Sequence, residues 1–197
     1  MNPPSQVPNR PSAKLPIRSI VGAAIGLLAI LYAWGRPWEG GVVIDFVADL
    51  PKATVQRPEP TAFRALDAVQ NGTWKKSIYV TQPSRLVYRL EDVPRNAWLQ
   101  VSLGIREEAW RRESPGVLFV LSVRRIAGPD PRVVELASMT VNPYANLADR
   151  QWHPIQVDLT PWVGQSVDLM FETRSPTEHA SLQRHLALWG APAIVTK

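Results

Sequence analysis

A chain of 197 residues with no cysteine excludes disulfides, thiolate metal sites and a cysteine nucleophile. Its formal charge is +5, but Arg10, Lys14 and Arg18 precede any acidic residue, leaving 19 of the 22 Lys/Arg against 17 Asp/Glu in the remainder. No basic stripe is interleaved with aromatics, which argues against nucleic acid as a partner.

Residues 1–18 contain Pro3, Pro4, Pro8, Pro11 and Pro16 and are expected to be a disordered, basic cytoplasmic tail. The run from Ser19 to Gly35 carries no charge. As a helix it spans about 26 Å, slightly short of a hydrocarbon core of about 30 Å, which predicts a transmembrane segment at 19–35. Arg18 and Arg36 can snorkel at its two ends, and Tyr32, Trp34 and Trp38 suit the outer interface with lipid. A cleaved signal peptide would need small residues where Tyr32 and Trp34 stand, so an uncleaved signal anchor is expected. The basic flank places the N-terminus in the cytoplasm and the bulk of the chain outside the inner (cytoplasmic) membrane, in the periplasm of a Gram-negative cell. Gly22 and Gly26, continued by Ala29 and Ala33, give the helix a small face on which other transmembrane helices can pack closely.

Residues 36–60 read as an extended connector with one strand at Val42–Val47. From residue 61 onward, short runs alternate in hydrophobicity with a period of two, the mark of half-buried strands. Leu86, Tyr88 and Leu90 share one face; so do Ala97, Leu99, Val101 and Leu103, then Val117, Phe119, Leu121 and Val123. Val167, Leu169 and Phe171 oppose Ser166, Asp168 and Met170. Asn71-Gly72 predicts a tight hairpin joining Phe63–Val69 to Trp74–Val80. Further turns fall at Ser114-Pro115-Gly116 and Gly128-Pro129-Asp130-Pro131, and Glu107–Arg112 suits one short helical turn. Eight or nine strands without intervening helices predict an all-β, antiparallel jelly-roll β-sandwich over 61–197, behind one transmembrane α-helix.

No catalytic constellation emerges. The P-loop, dinucleotide-binding, nucleophile-elbow and zinc-protease patterns are absent, and His153, His179 and His185 lack metal-ligand spacing. No cofactor or metal is expected. Trp74, Trp98, Trp110 and Arg111 are the candidate contacts for a partner or a glycan, because Trp beside Arg is enriched where proteins touch.

The run Trp152-His153-Pro154-Ile155-Gln156-Val157-Asp158-Leu159-Thr160-Pro161-Trp162-Val163-Gly164-Gln165, continuing to Thr173, resembles the C-terminal half of galactose-binding-like and carbohydrate-binding-module-like jelly rolls. Leu188-Trp189-Gly190-Ala191-Pro192-Ala193-Ile194 is similar to their closing strand, and Pro83–Leu90 with Ala97–Gly104 resembles an upstream hairpin. The resemblance covers roughly residues 70–195. It implies the sandwich fold and makes a sugar ligand natural. The acidic residue that many such domains carry before the closing Trp-Gly is absent from Gln183-Arg184-His185-Leu186-Ala187, so the resemblance carries no calcium or sugar contact there.

The expectation is a non-catalytic, membrane-anchored β-sandwich acting as an accessory or scaffolding subunit of a membrane complex of respiratory, photosynthetic or envelope machinery. The alternative is a cell-envelope glycan-binding module. A broad apolar patch continuous with the membrane helix would favour the first, and an exposed aromatic or polar groove the second. For the topology, protease added to spheroplasts should digest the chain beyond residue 40 and spare the basic tail. A mature N-terminus near residue 35 would refute the anchor.

Overall fold

The computed structural model describes residues 41–81, 83–126, 132–177 and 186–196. The expected membrane segment at 19–35 lies outside them, as do Arg18, Tyr32, Trp34, Arg36 and Trp38. Among the described residues no helix is long and apolar enough to cross a membrane.

Eleven strands follow one another among the described residues, linked by turns and single 3-10 turns. They are β1 (Val42–Asp45), β2 (Val55–Arg57), β3 (Phe63–Gln70), β4 (Thr73–Val80), β5 (Ser84–Leu90), β6 (Ala97–Ile105), β7 (Val117–Arg125), β8 (Val133–Val141), β9 (His153–Asp158), β10 (Val167–Arg174) and β11 (Ala187–Thr196). One sheet runs β3-β4-β11-β6-β9, with β1 pairing the far half of β11, and the other runs β2-β5-β10-β7-β8. Every strand pairing is antiparallel, as the alternation predicted. The stretch read as a connector supplies two strands, one to each sheet. The edge strands β2 and β8 have no counterpart in the sequence reading.

The inward residues of the two sheets form one core. Phe46, just after β1, stacks 4.6 Å from Tyr88 and 5.4 Å from Phe171, and Trp189 meets Phe171 edge-on at 5.3 Å and Phe119 at 4.9 Å. Such offset and edge-to-face contacts add to the burial of the rings. The Tyr88 hydroxyl donates to the Phe46 carbonyl at 2.9 Å. Burial pushes this phenol well above its ordinary range, with the Asp49 and Asp45 carboxylates adding to the effect, so it stays a donor at physiological pH. Trp189 belongs to this core, at 1% exposure. Trp162 packs against the same core from its rim.

β4 keeps company with β11 only from Ser77 to Val80. Beyond Gly190 the register of β11 shifts, Ala191 takes a left-handed φ of 44°, and β1 replaces β4 as neighbour. The distal half of the β3–β4 hairpin is thereby freed to fold over the outer face of its own sheet. Its turn at Asn71-Gly72, with φ of 46° and 75°, matches the tight hairpin predicted there. Gln70 lies against Gly104 and its Nε2 donates to the Ile105 carbonyl at 3.0 Å. Ala68, Leu188 and Trp152 form a second small core beneath the hairpin, flanked by Leu66 and Tyr79. The Trp152 indole donates to the Thr73 carbonyl at 2.8 Å.

Trp152 fits because position 190 is glycine. A Cβ there would stand 2.6 Å from Trp152 Cζ3, well inside contact distance. Gly190→Ala should therefore displace the ring and cost about 1–3 kcal/mol, the range for overpacked sites. The expected result is a lower urea midpoint with unchanged β-sheet content. An unchanged midpoint would mean that the hairpin does not depend on this ring.

Candidate functional site

β10 lies between β5 and β7, and seven of its eight residues are buried. Val167, Leu169 and Phe171 enter the core. The alternate residues Asp168, Met170 and Glu172 point to the opposite face, yet are only 2%, 5% and 4% exposed. The cover comes from neighbouring strands. Asp168 stands between Arg89 of β5 and Arg124 of β7, Met170 between Val87 and Ser122, and Glu172 between Arg85 and Val120. The long arginine stems lie over the apolar floor while their heads reach solvent.

A buried carboxylate is costly unless paired and hydrogen-bonded. Asp168 takes Arg89 Nε at 3.2 Å on Oδ1 and Arg124 Nη2 at 2.6 Å on Oδ2. Glu172 is held in the same way by Arg85 and Arg174. The side chains of these four arginines are 44–55% exposed. β2 extends the face: Arg57 pairs in register with Arg85, and Val55 with Val87. Between β2, β5 and Asp168 lies a groove of about 310 Å³ with Val55, Val87 and Met170 as its apolar surface and Arg57, Arg85, Arg89 and Arg124 around it. The groove thus offers a hydrophobic floor and several converging hydrogen-bond donors, the combination typical of small-ligand and chain-binding clefts.

A second groove, of about 460 Å³, lies on the other sheet between Leu66–Val69 of the folded hairpin and Arg106–Glu108. Its guanidinium is already engaged, because Arg106 pairs with Glu108 and rests 5.3 Å over the Tyr79 ring. A backbone hydrogen bond, with the Arg106 contact adding, holds the Glu108 carboxyl below its ordinary range despite slight burial. Asp67, Glu107 and Glu108 leave this groove acidic.

The residues proposed from sequence are dispersed. Gly22, Gly26, Ala29 and Ala33 lie outside the described residues. Trp74 is 54% exposed on the hairpin, directly opposite Val69, which is 50% exposed. Trp98 is half-buried near the start of β6, opposite Asp158 and Val195. Trp110 follows the far end of β6, whose last residue, Ile105, lies about 24 Å from Trp98 at the rise of a strand. Its indole donates to the Ile105 carbonyl at 2.7 Å, and Arg150 lies 6.0 Å over its ring, so the protein's own side chain occupies that face. Arg111 is exposed beside it. His153 is half-buried 3.6 Å from Asp149, and His179 and His185 fall outside the described residues. Among the described residues no three metal-ligating side chains gather. The arginine groove was missed because its members come from four separate segments. Its visible signal was the charge at outward strand positions, Arg85 and Arg89 on β5 and Asp168 on β10, which sequence reading treats as a solvated face.

The architecture is an antiparallel two-sheet β-sandwich, a fold found in a solved carbohydrate-binding module. The CBM51 module of a Clostridium perfringens GH95 protein, determined in complex with methyl-galactose, is similar with a TM-score of 0.50 and 14% identity, over 78% of this chain and 99% of that one. The module TmCBM61, in complex with β-1,4-galactotriose, gives a TM-score of 0.44 and 12% identity over 78% of this chain and 94% of that one. At these identities the likeness is one of fold. No protein-family profile matches the chain. An uncharacterized protein of Archaeoglobus fulgidus is 30% identical over 113 residues, 56% of this chain, and the chain spans 27% of that relative's length.

The shared carboxylate makes a testable pattern. Arg89→Met or Arg124→Met alone should cost about 1 kcal/mol, because the second guanidinium still serves Asp168 and both heads are partly solvated. The double variant leaves a buried carboxylate unpaired and should cost about 3–5 kcal/mol. A urea double-mutant cycle reads the difference, and simple additivity would show that the two arginines do not share one partner.

Proposed function

We propose that this protein is a glycan-binding module that works by contact rather than catalysis and receives its ligand in the arginine groove on β2, β5 and β10. The carrying observation is the groove itself: Val55, Val87 and Met170 provide a surface for the apolar face of a sugar ring, and four arginines offer donors to its oxygens. That solved proteins of this fold are sugar-binding modules agrees with the reading, at the level of fold.

In this reading the apolar run at 19–35 tethers the module to the cytoplasmic membrane with the sandwich outside, where envelope polysaccharides are accessible. The other expectation, an accessory subunit of a membrane complex, called for a broad apolar patch continuous with the helix. Exposed large hydrophobics among the described residues form only small groups, such as Val42 with Val43 on β1, Val69 opposite Trp74 on the hairpin and Val133 with Val134 on β8. They give that reading less support than the groove gives to a glycan.

The test is affinity electrophoresis of the full chain in gels containing β-1,4-galactan, a mixed β-glucan or polygalacturonate. At least one polymer should retard the protein. Val55→Trp, which puts bulk into the groove from an edge strand, should weaken that retardation about tenfold, whereas Trp74→Ala on the other sheet should leave it unchanged. The opposite pattern would move the site to the hairpin, and no retardation by any polymer would overturn the reading.

A further inference from the structure

The groove has a further property that a neutral sugar does not call for. Four arginines line it against a single carboxylate, Asp168. Over the whole outer face of this sheet, Arg57, Arg85, Arg89, Arg124 and Arg174 stand against Asp168 and Glu172, with Glu135 towards the β8 edge hydrogen-bonded to Ser138. Two paired carboxylates do not need five guanidiniums, and arginine cannot shed its charge. Resting on the reading of this groove as a glycan site, we infer that its ligand is an acidic polysaccharide whose sugar rings carry carboxylates, a polyuronate.

Several observations converge on that class. The internal ion pairs leave the arginines largely uncommitted. Asp168 engages Arg89 only through Nε and Arg124 only through Nη2, while each guanidinium has five donors. The planar fork matches a carboxylate with two parallel hydrogen bonds, a geometry that hydroxyls do not offer. Arg57 at the rim has no ion-pair partner among the described residues, so its charge is available without breaking any contact. The two arginine clamps are centred on Asp168 and Glu172, four residues apart on β10, which places them about 13 Å from each other. That span is longer than one sugar ring and suits a chain with repeated charges. Between the clamps, Met170 and Val87 give a ring its apolar contact. Asp168 and Glu172 preorganise the face: they hold the arginine heads over the sheet, so that little side-chain entropy remains to be lost on binding.

The probe pair is polygalacturonate and its methyl ester, which share a backbone and differ in charge, with β-1,4-galactan as a neutral chain. The full protein should bind polygalacturonate about tenfold more tightly than the ester, the effect expected for losing charge-assisted hydrogen bonds, and the preference should shrink as salt rises. Arg57→Gln should remove about tenfold of the affinity for polygalacturonate, weaken ester binding by a much smaller factor because the amide still donates to neutral oxygens, and leave the urea midpoint unmoved. Equal binding of acid and ester overturns the acidic-ligand inference while the glycan reading stands. Failure of all three polymers overturns the inference, and failure of the mixed β-glucan as well removes the glycan reading. Binding to phosphatidylglycerol vesicles without binding to polygalacturonate also overturns the inference, since the face would then serve an anionic lipid surface.

Discussion

Asp168 imposes the constraint on which the arginine face depends. A carboxylate at the middle strand of a sheet, 2% exposed, cannot be left unpaired. It needs cations on both flanking strands, and Arg89 and Arg124 lie in register to supply them. Glu172, two outward positions further along, takes its cations from Arg85 on β5 and from Arg174 on β10 itself. With the arginine stems spread across the surface, Val87, Met170 and Val120 are buried although they point away from the core. The face that results is charged at the surface and apolar underneath. This is unlike both a solvated sheet and a core, and it is where a ligand with a charged group and a hydrophobic ring finds both kinds of contact.

Much of the sandwich was legible because burial on one face forces alternation. The inward residues of β5, β6, β7 and β10 are those whose spacing marked them as a shared face. The turn at Asn71-Gly72 was readable because two successive left-handed residues suit few other sequences. β2 and β8 were not legible. β2 has three residues, too few to show a period. β8 is an edge strand whose first three residues are exposed, and a bulge at Leu136, opposite Leu121 and Ser122 of β7, shifts its pairing. An edge strand without a consistently buried face carries little pattern to read. The folding-over of the β3–β4 hairpin was equally hidden. It follows from a register shift in β11 and from the lack of a side chain at Gly190, both of which become meaningful only once Trp152 is in place.

For the site, the aromatic signal pointed elsewhere. Trp residues are conspicuous in a sequence, but among the described ones Trp189 fills the core, Trp152 fixes the hairpin and Trp110 is capped by Arg150. Charges at outward strand positions are by contrast unremarkable one at a time. Arg57, Arg89, Arg124 and Asp168 become a site only when β2, β5, β7 and β10 are laid side by side, and the order of strands in a sheet is a long-range property that local pattern does not record. Asp168 was seen to oppose Val167 and Leu169. Its near-complete burial depended on arginines 79 residues upstream and 44 residues upstream.

The position of β10 has a kinetic consequence. Its backbone is paired on both edges, its inner side chains are locked in the core and its outer ones lie under arginines. Local fraying begins at edges and tips, where few contacts must be broken, and reaches a doubly covered central strand only with unfolding of the whole domain. The amide protons of Asp168, Met170 and Glu172 therefore belong among the slowest to exchange with solvent, and the charges that define the groove are mounted on the part of the molecule that opens least often. A surface built this way keeps its spacing through the ordinary breathing of the protein, whereas a site assembled from loops is made and unmade many times between encounters.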